Sequence, residues 1–154
     1  MNGGLTEQIF PTRGLRQGDP ISPYLFLLCA EGFSSLLNDA EMNGRIQGVS
    51  ICAGAPSMTH LLFADDSLLL LKANDGNATH LRHVLQIYET CSGQKINKEK
   101  SSIVFSKNTK SCARRRFMEI LDLTQETLTS RYLGLPVYMG RSKKSVFAYL
   151  KERV

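Results

Sequence analysis

The stretch Thr59-His60-Leu61-Leu62-Phe63-Ala64-Asp65-Asp66-Ser67-Leu68-Leu69-Leu70-Leu71-Lys72 decides how the rest of the chain is read. As one helix it would place both aspartates midway along an apolar cylinder, where burying unpaired carboxylates costs on the order of several kcal/mol. As a hairpin it avoids that cost. Two short apolar strands, each buried on both faces, would meet at a tight turn that carries Asp65 and Asp66 into solvent, and aspartate tolerates the backbone conformations such a turn needs. Adjacent like charges repel, and a divalent cation offsets them. Magnesium takes hard oxygen ligands, commonly one or two carboxylates together with substrate phosphates. The pair therefore suits phosphoryl or nucleotidyl transfer, with a plain solvated turn as the alternative.

Upstream, residues 1–21 are punctuated by Gly3-Gly4, Pro11, Gly14, Gly18 and Pro20 and read as a hairpin or loop. Within them Arg13-Gly14-Leu15-Arg16-Gln17-Gly18-Asp19-Pro20-Ile21-Ser22-Pro23 leads into a helix start. Such a loop lets a ligand approach the backbone, offering two guanidiniums for phosphate and Gln17 for a base or sugar edge; the alternative is a turn followed by an N-cap. It lacks the spacing of a Walker phosphate loop. Ser22 is placed to cap and Pro23 to open a helix that runs to about Asn38. Tyr24 to Ala30 are apolar on every face, whereas Phe33, Leu36 and Leu37 form one stripe, so the start should be buried and the end half exposed.

Downstream, Asn74-Asp75-Gly76-Asn77 reads as a turn, and Leu81, Val84, Leu85 and Tyr88 recur at helical spacing until Ser92-Gly93. Ser102 to Ser106 reads as a short strand, Arg114 to Leu123 as a helix, Arg131 to Tyr138 as a strand pair, and Val146 to Val154 as the beginning of a helix. Lys95, Lys98, Lys100, Lys107, Lys110 and Arg114 to Arg116 are opposed within their span only by Glu99. That is either a phosphate-tracking surface or a solvated face. His60, His80 and His83 form no ligand constellation, and His80 and His83, which share a helix face, read as surface residues.

The 154 residues amount to about one domain. Their 42% hydrophobic and 21% charged content excludes a wholly disordered or collagen-like chain. A net charge of +5 makes a polyanionic partner reasonable. Cys29, Cys52, Cys91 and Cys112 show no metal-ligand spacing and read as free thiols, which suits an intracellular location, nuclear or cytoplasmic. No apolar run approaches the roughly 20 residues of a membrane span, so no membrane partner is expected.

Four motifs in order, Arg13 to Pro23, Phe63-Ala64-Asp65-Asp66, Ser92-Gly93-Gln94-Lys95-Ile96-Asn97-Lys98-Glu99-Lys100-Ser101 and Tyr132-Leu133-Gly134-Leu135-Pro136, strongly resemble the reverse transcriptase of non-LTR (LINE-type) retrotransposons. The resemblance covers essentially the whole chain. It implies an α+β fold: part of a right-hand polymerase palm, with a small antiparallel sheet centred on the catalytic hairpin and helices packed on one face. Residues 1–154 would form a partial domain, the palm from the Arg13 loop onward and the start of the thumb at 141–154. The fingers and the strand bearing the family's first metal-binding aspartate would be absent, since Glu7 is the only acidic residue before Arg13.

By the same resemblance Asp65 and Asp66 bind two Mg2+ ions that serve nucleotidyl transfer in the intact parent. Phe63 and Ala64 lie near the primer end and the nascent base pair. Gln17 and Gly18, with Arg16, face template and incoming nucleotide. Lys100 is the match to a lysine that protonates pyrophosphate, with Lys98 two residues away, and Tyr132, Leu133 and Gly134 steady the primer. The implied partners are an RNA template, a DNA primer and deoxynucleoside triphosphates. The implied function is RNA-directed DNA polymerisation by the parent. The alternative is a transposon remnant that binds nucleic acid without catalysis or has no function.

Overall fold

The computed structural model describes residues 18–127, 131–133 and 135–136. The elements in chain order are α1 (Ser22–Met42), β1 (His60–Phe63), β2 (Asp66–Leu69), α2 (Asp75–Ser92), α3 (Ser111–Leu121), β3 (Arg131–Tyr132) and β4 (Leu135–Pro136). The chain is thus α+β, with β1–β2 and β3–β4 each forming an antiparallel pair. The opening loop before Gly18 and the helix expected from Val146 lie outside the described residues.

Helix α2 is the hub, packing against α1 on one side and α3 on the other, while α1 also touches β1. Its ends are well specified. The Asn74 side chain accepts the Asn77 amide at 2.8 Å, so the expected turn at 74–77 is instead an N-cap and first helical turn. Gly93 closes the helix at φ +72°, a left-handed conformation that glycine adopts at little cost, and its amide reaches the Glu89 carbonyl. The apolar stripe reads out as expected: Leu81 and Val84 are buried with Phe33 and Leu37 of α1, and Phe117 and Leu121 of α3. Phe33 stacks on Tyr88 at 4.6 Å between ring centroids, and Phe105 meets Phe117 edge to face at 6.0 Å.

Asn77 is the main buried polar side chain in this region, and every use of it is structural. Its amide group donates to the Lys72 and Gln47 carbonyls, and its oxygen accepts the Gln47 amide. It thereby fastens the segment after α1 to the segment after β2. Next to it the chain runs very close to itself. A Cβ on Gly48 would lie 2.6 Å from the Met58 carbonyl oxygen, so only glycine fits beside the Val49–Met58 bridge.

Helix α1 reverses the burial expected of it. Tyr24, Leu27 and Leu28 are 69%, 62% and 68% exposed, whereas Leu37 is fully buried. An all-round apolar stretch favours burial, but burial needs a neighbour that reaches it. Among the described residues, those of α1 buried in the core with α2 and Ile46 are Phe33, Leu37 and Ala40, all in its C-terminal half. The expected cap differs as well. Ser22 is already helical, its buried hydroxyl has no partner among the described residues, and the Asp19 carboxylate takes the Ile21 amide instead. Among the described residues the expected strand at Ser102–Ser106 reduces to one parallel bridge, Ile103 to Glu126, in which the Ile103 amide donates to the Gln125 carbonyl and the Ile103 carbonyl accepts the Thr127 amide.

Candidate functional site

The paired aspartates stand on the β1–β2 hairpin, as the apolar flanks require. The register pairs His60 with Leu69, Leu61 with Leu68, Leu62 with Ser67 and Phe63 with Asp66. The loop is therefore only Ala64-Asp65, and Asp66 is the first residue of β2 rather than part of the turn. Ala64 takes φ +48°, a left-handed conformation that costs an L-residue roughly 1 kcal/mol. The strands are not buried on both faces as the sequence reading expected. Burial alternates along β1, with Leu61 and Phe63 41% and 59% exposed and His60 and Leu62 half-buried. Partners directly across an antiparallel pair share a face, so Asp66 projects on the same exposed side as Phe63.

Both carboxylates are exposed, and among the described residues neither has a hydrogen-bond or ion-pair partner. Four carboxylate oxygens are thus left without a protein donor. This donor set fits a hard divalent cation of the magnesium type, which takes one or two protein carboxylates and fills its remaining positions from water and phosphate. No group of three or more His, Cys, Asp or Glu side chains that could hold a metal occurs among the described residues.

Behind the tip, the hairpin is seated through polar contacts that sequence reading missed. His60 makes two of them. Its Nε2 lies 2.9 Å from the Ser34 hydroxyl of α1 and its Nδ1 2.9 Å from the Thr59 hydroxyl. Burial lowers the His60 pKa below its ordinary value, with Glu41 acting in the opposite direction. Thr59 is itself buried, and its carbonyl accepts the Leu70 amide at 2.7 Å. His80 and His83 are exposed as expected, His80 being hydrogen-bonded within its own helix.

The second hairpin approaches the first. Tyr132 pairs with Leu135 across β3–β4, and its hydroxyl donates to the Leu61 carbonyl of β1 at 3.3 Å. Leu133, at the turn, is exposed with φ +53°. Of the residues expected to steady the primer, Gly134 lies outside the described set, as do Arg16 and Gln17 of the opening loop. Gly18 is exposed, with φ +89°, a conformation that suits only glycine, ahead of α1. Lys100 sits in an exposed turn with its amide on the Asn97 side chain, and no described contact joins it to the aspartates. Lys98, by contrast, is engaged by Asp122.

Half of the concentrated basic charge is answered by acids from elsewhere in the chain. Lys95 pairs with Glu89, Lys98 with Asp122, and Arg116 with Asp75 of α2. Arg114 is committed still further. Its guanidinium bonds the Thr109 and Ser106 carbonyls and the Glu126 carboxylate, and it lies 5.7 Å from the Phe105 ring centre. Counting charge along the sequence hid these partners because they lie outside the basic span. Lys100, Lys110 and Arg115 are exposed cations with no ion-pair partner among the described residues. The four cysteines are free, and no helix among the described residues is long and apolar enough to cross a membrane.

Comparison with known proteins gives this hairpin its context. Residues 1–137 match the family described as reverse transcriptase (RNA-dependent DNA polymerase). An uncharacterized mitochondrial protein of Arabidopsis thaliana is 49% identical over 67 residues, 44% of this chain and 55% of that protein. A retrovirus-related Pol polyprotein from the type-1 retrotransposable element R2 of Popillia japonica is 33% identical over 140 residues, 86% of this chain and 19% of the polyprotein. The corresponding polyprotein of Nasonia vitripennis is 34% identical over 76 residues, 49% of this chain and 7% of its own length. The chain therefore spans about half of the plant relative and a small part of each polyprotein. With the Asp65-Asp66 hairpin in place and the match running through nearly all of it, the chain belongs to the reverse transcriptase family, as a partial domain of the non-LTR retrotransposon type.

Proposed function

We propose that this chain carries the metal-binding hairpin of a non-LTR reverse transcriptase palm and serves RNA-directed DNA synthesis in a longer parent protein. The family uses divalent metal ions, a nucleic-acid template and nucleotide substrates. The finer reading is that Asp65 and Asp66 hold two Mg2+ ions, with further ligands from substrate phosphates and from the parent. When bound there, magnesium activates the primer 3′-hydroxyl and stabilises charge on the leaving pyrophosphate.

The remaining roles follow from the family resemblance. Phe63 offers an exposed aromatic surface on the face of Asp66, suited to the primer end, and the small Ala64 leaves room for the nascent base pair. Arg16, Gln17 and Gly18 contact template and incoming deoxynucleoside triphosphate. Tyr132, Leu133 and Gly134 steady the DNA primer, and Lys100 supplies a proton to pyrophosphate. Residues 141–154 begin the thumb. The observation that carries this reading is the pair of adjacent, exposed carboxylates at a hairpin tip, without a protein partner among the described residues.

Primer extension on an RNA template with magnesium tests it, run on the longer parent protein beside its Asp65→Asn and Asp66→Asn versions. Template-dependent product lost in both variants is the expected outcome. Product that survives both substitutions contradicts the assignment. Absence of product in every case, with primer–template binding that weakens as salt rises, selects a nucleic-acid-binding remnant instead.

A further inference from the structure

We infer that Tyr132 is a positioning residue whose hydroxyl joins the primer-side hairpin to the aspartate hairpin, so that the two turns move as one unit. The inference rests on the functional reading above and extends it, because it concerns how the two parts keep their geometry. Its basis is the hydrogen bond from the Tyr132 hydroxyl to the Leu61 carbonyl, which spans 71 residues of sequence.

The geometry gives this bond particular leverage. Leu61 lies two residues before Phe63, the last residue of β1, and Tyr132 directly precedes Leu133. Each hairpin thus has its anchor within three residues of its turn. Both turns also place a non-glycine residue at positive φ, Ala64 at +48° and Leu133 at +53°. Such conformations persist where the surroundings over-determine them. Two-residue and two-stranded elements offer little of that, since an isolated hairpin is marginally stable in water. The tie between the hairpins supplies a constraint that neither has alone.

The phenol also suits the task chemically. The Leu61 carbonyl has two lone pairs, so it can accept from Tyr132 while remaining in the β1–β2 ladder. Phenylalanine at 132 would keep the ring and remove only the donor. The two-point separation between Leu133 and the carboxylates would then depend on packing alone.

Amide hydrogen exchange on the full chain, compared between the natural sequence and Tyr132→Phe, tests the tie directly. Exchange should rise about fivefold at residues 60–69, the scale set by one ordinary hydrogen bond, with α2 and α3 unchanged. Equal exchange in both proteins overturns the inference, and so does an equal rise throughout the chain. A second readout uses Mn2+ as a paramagnetic probe. Broadening of the Leu133 methyl signals relative to the Asp66 amide should decrease in Tyr132→Phe, which a general loss of stability would not produce; an unchanged ratio contradicts the tie. If the natural chain shows no broadening at Asp65 and Asp66, the metal assignment fails, while hydrogen exchange still decides the tie.

Discussion

The helical half and the hairpin half of this chain are built on opposite terms. Helices α1, α2 and α3 bury Leu37, Leu81, Val84 and Phe117 together, and α2 is closed by an asparagine cap and a left-handed glycine. The β1–β2 hairpin exposes Leu61, Phe63, Asp65 and Asp66, and turns through an alanine at positive φ. Stability resides in the first region and the candidate chemistry in the second. The link between them is narrow: Ser34 to His60, Asn77 to the neighbouring backbone, and Leu62 and Leu69 against the core. Such a division lets a rigid element present reactive groups without burying them.

If the division holds, truncating the helical core should be far more damaging than altering the hairpin tip. Leu37→Ala removes a fully buried side chain and should cost about 2–5 kcal/mol in denaturant unfolding. Asn77→Ala comes next. It leaves the Gln47 amide without its acceptor, while the Lys72 carbonyl keeps the Asn74 amide, and should cost about 1–3 kcal/mol by the same measurement, a loss that would show the narrow link to be structural.

Acid provides a milder way to probe that link. Because burial depresses the His60 pKa in the folded state, the unfolded chain binds the extra proton more readily. The contribution of His60 to stability is therefore full above its ordinary value of 6.5 and declines as pH falls below that value through the folded pKa. Unfolding midpoints measured across this window should decline with acid, and His60→Gln should flatten that decline. A slope that survives the substitution would assign it to other groups.

Smallest of all is the effect expected at the turn. Ala64→Gly removes the steric cost of positive φ but adds flexibility to the unfolded chain, so thermal unfolding should shift by less than about 1 kcal/mol in equivalent stability. Gly93→Ala, at the C-terminus of α2, should instead destabilise by about 1 kcal/mol, since its φ of +72° suits glycine and the helix depends on that closure.

The same contrast explains what sequence could and could not convey. The hairpin was legible because two aspartates inside an apolar run admit few low-cost conformations, and α2 was legible because periodicity and caps are local signals. Burial along α1 was not, because it depends on which neighbour reaches Tyr24 or Leu37. Nor were the roles of Arg114 and Arg116, whose acidic partners Glu126 and Asp75 lie outside the basic run. His60 and Tyr132 make single side-chain bonds to distant segments, and one such bond leaves no periodic trace. At the candidate site, residue identities were therefore readable, whereas the contacts seating them required the fold.

The central claim is that Asp65 and Asp66 form a cation site on a hairpin whose stability lies elsewhere. A magnesium titration followed by backbone amide chemical shifts, on the natural chain and on Asp65→Asn/Asp66→Asn, tests it most directly. The account predicts shifts confined to residues 63–68 in the natural chain, their loss in the double variant, and near-equal unfolding midpoints for the two proteins without metal. Shifts that persist in the double variant, or that lie away from the hairpin, would contradict it.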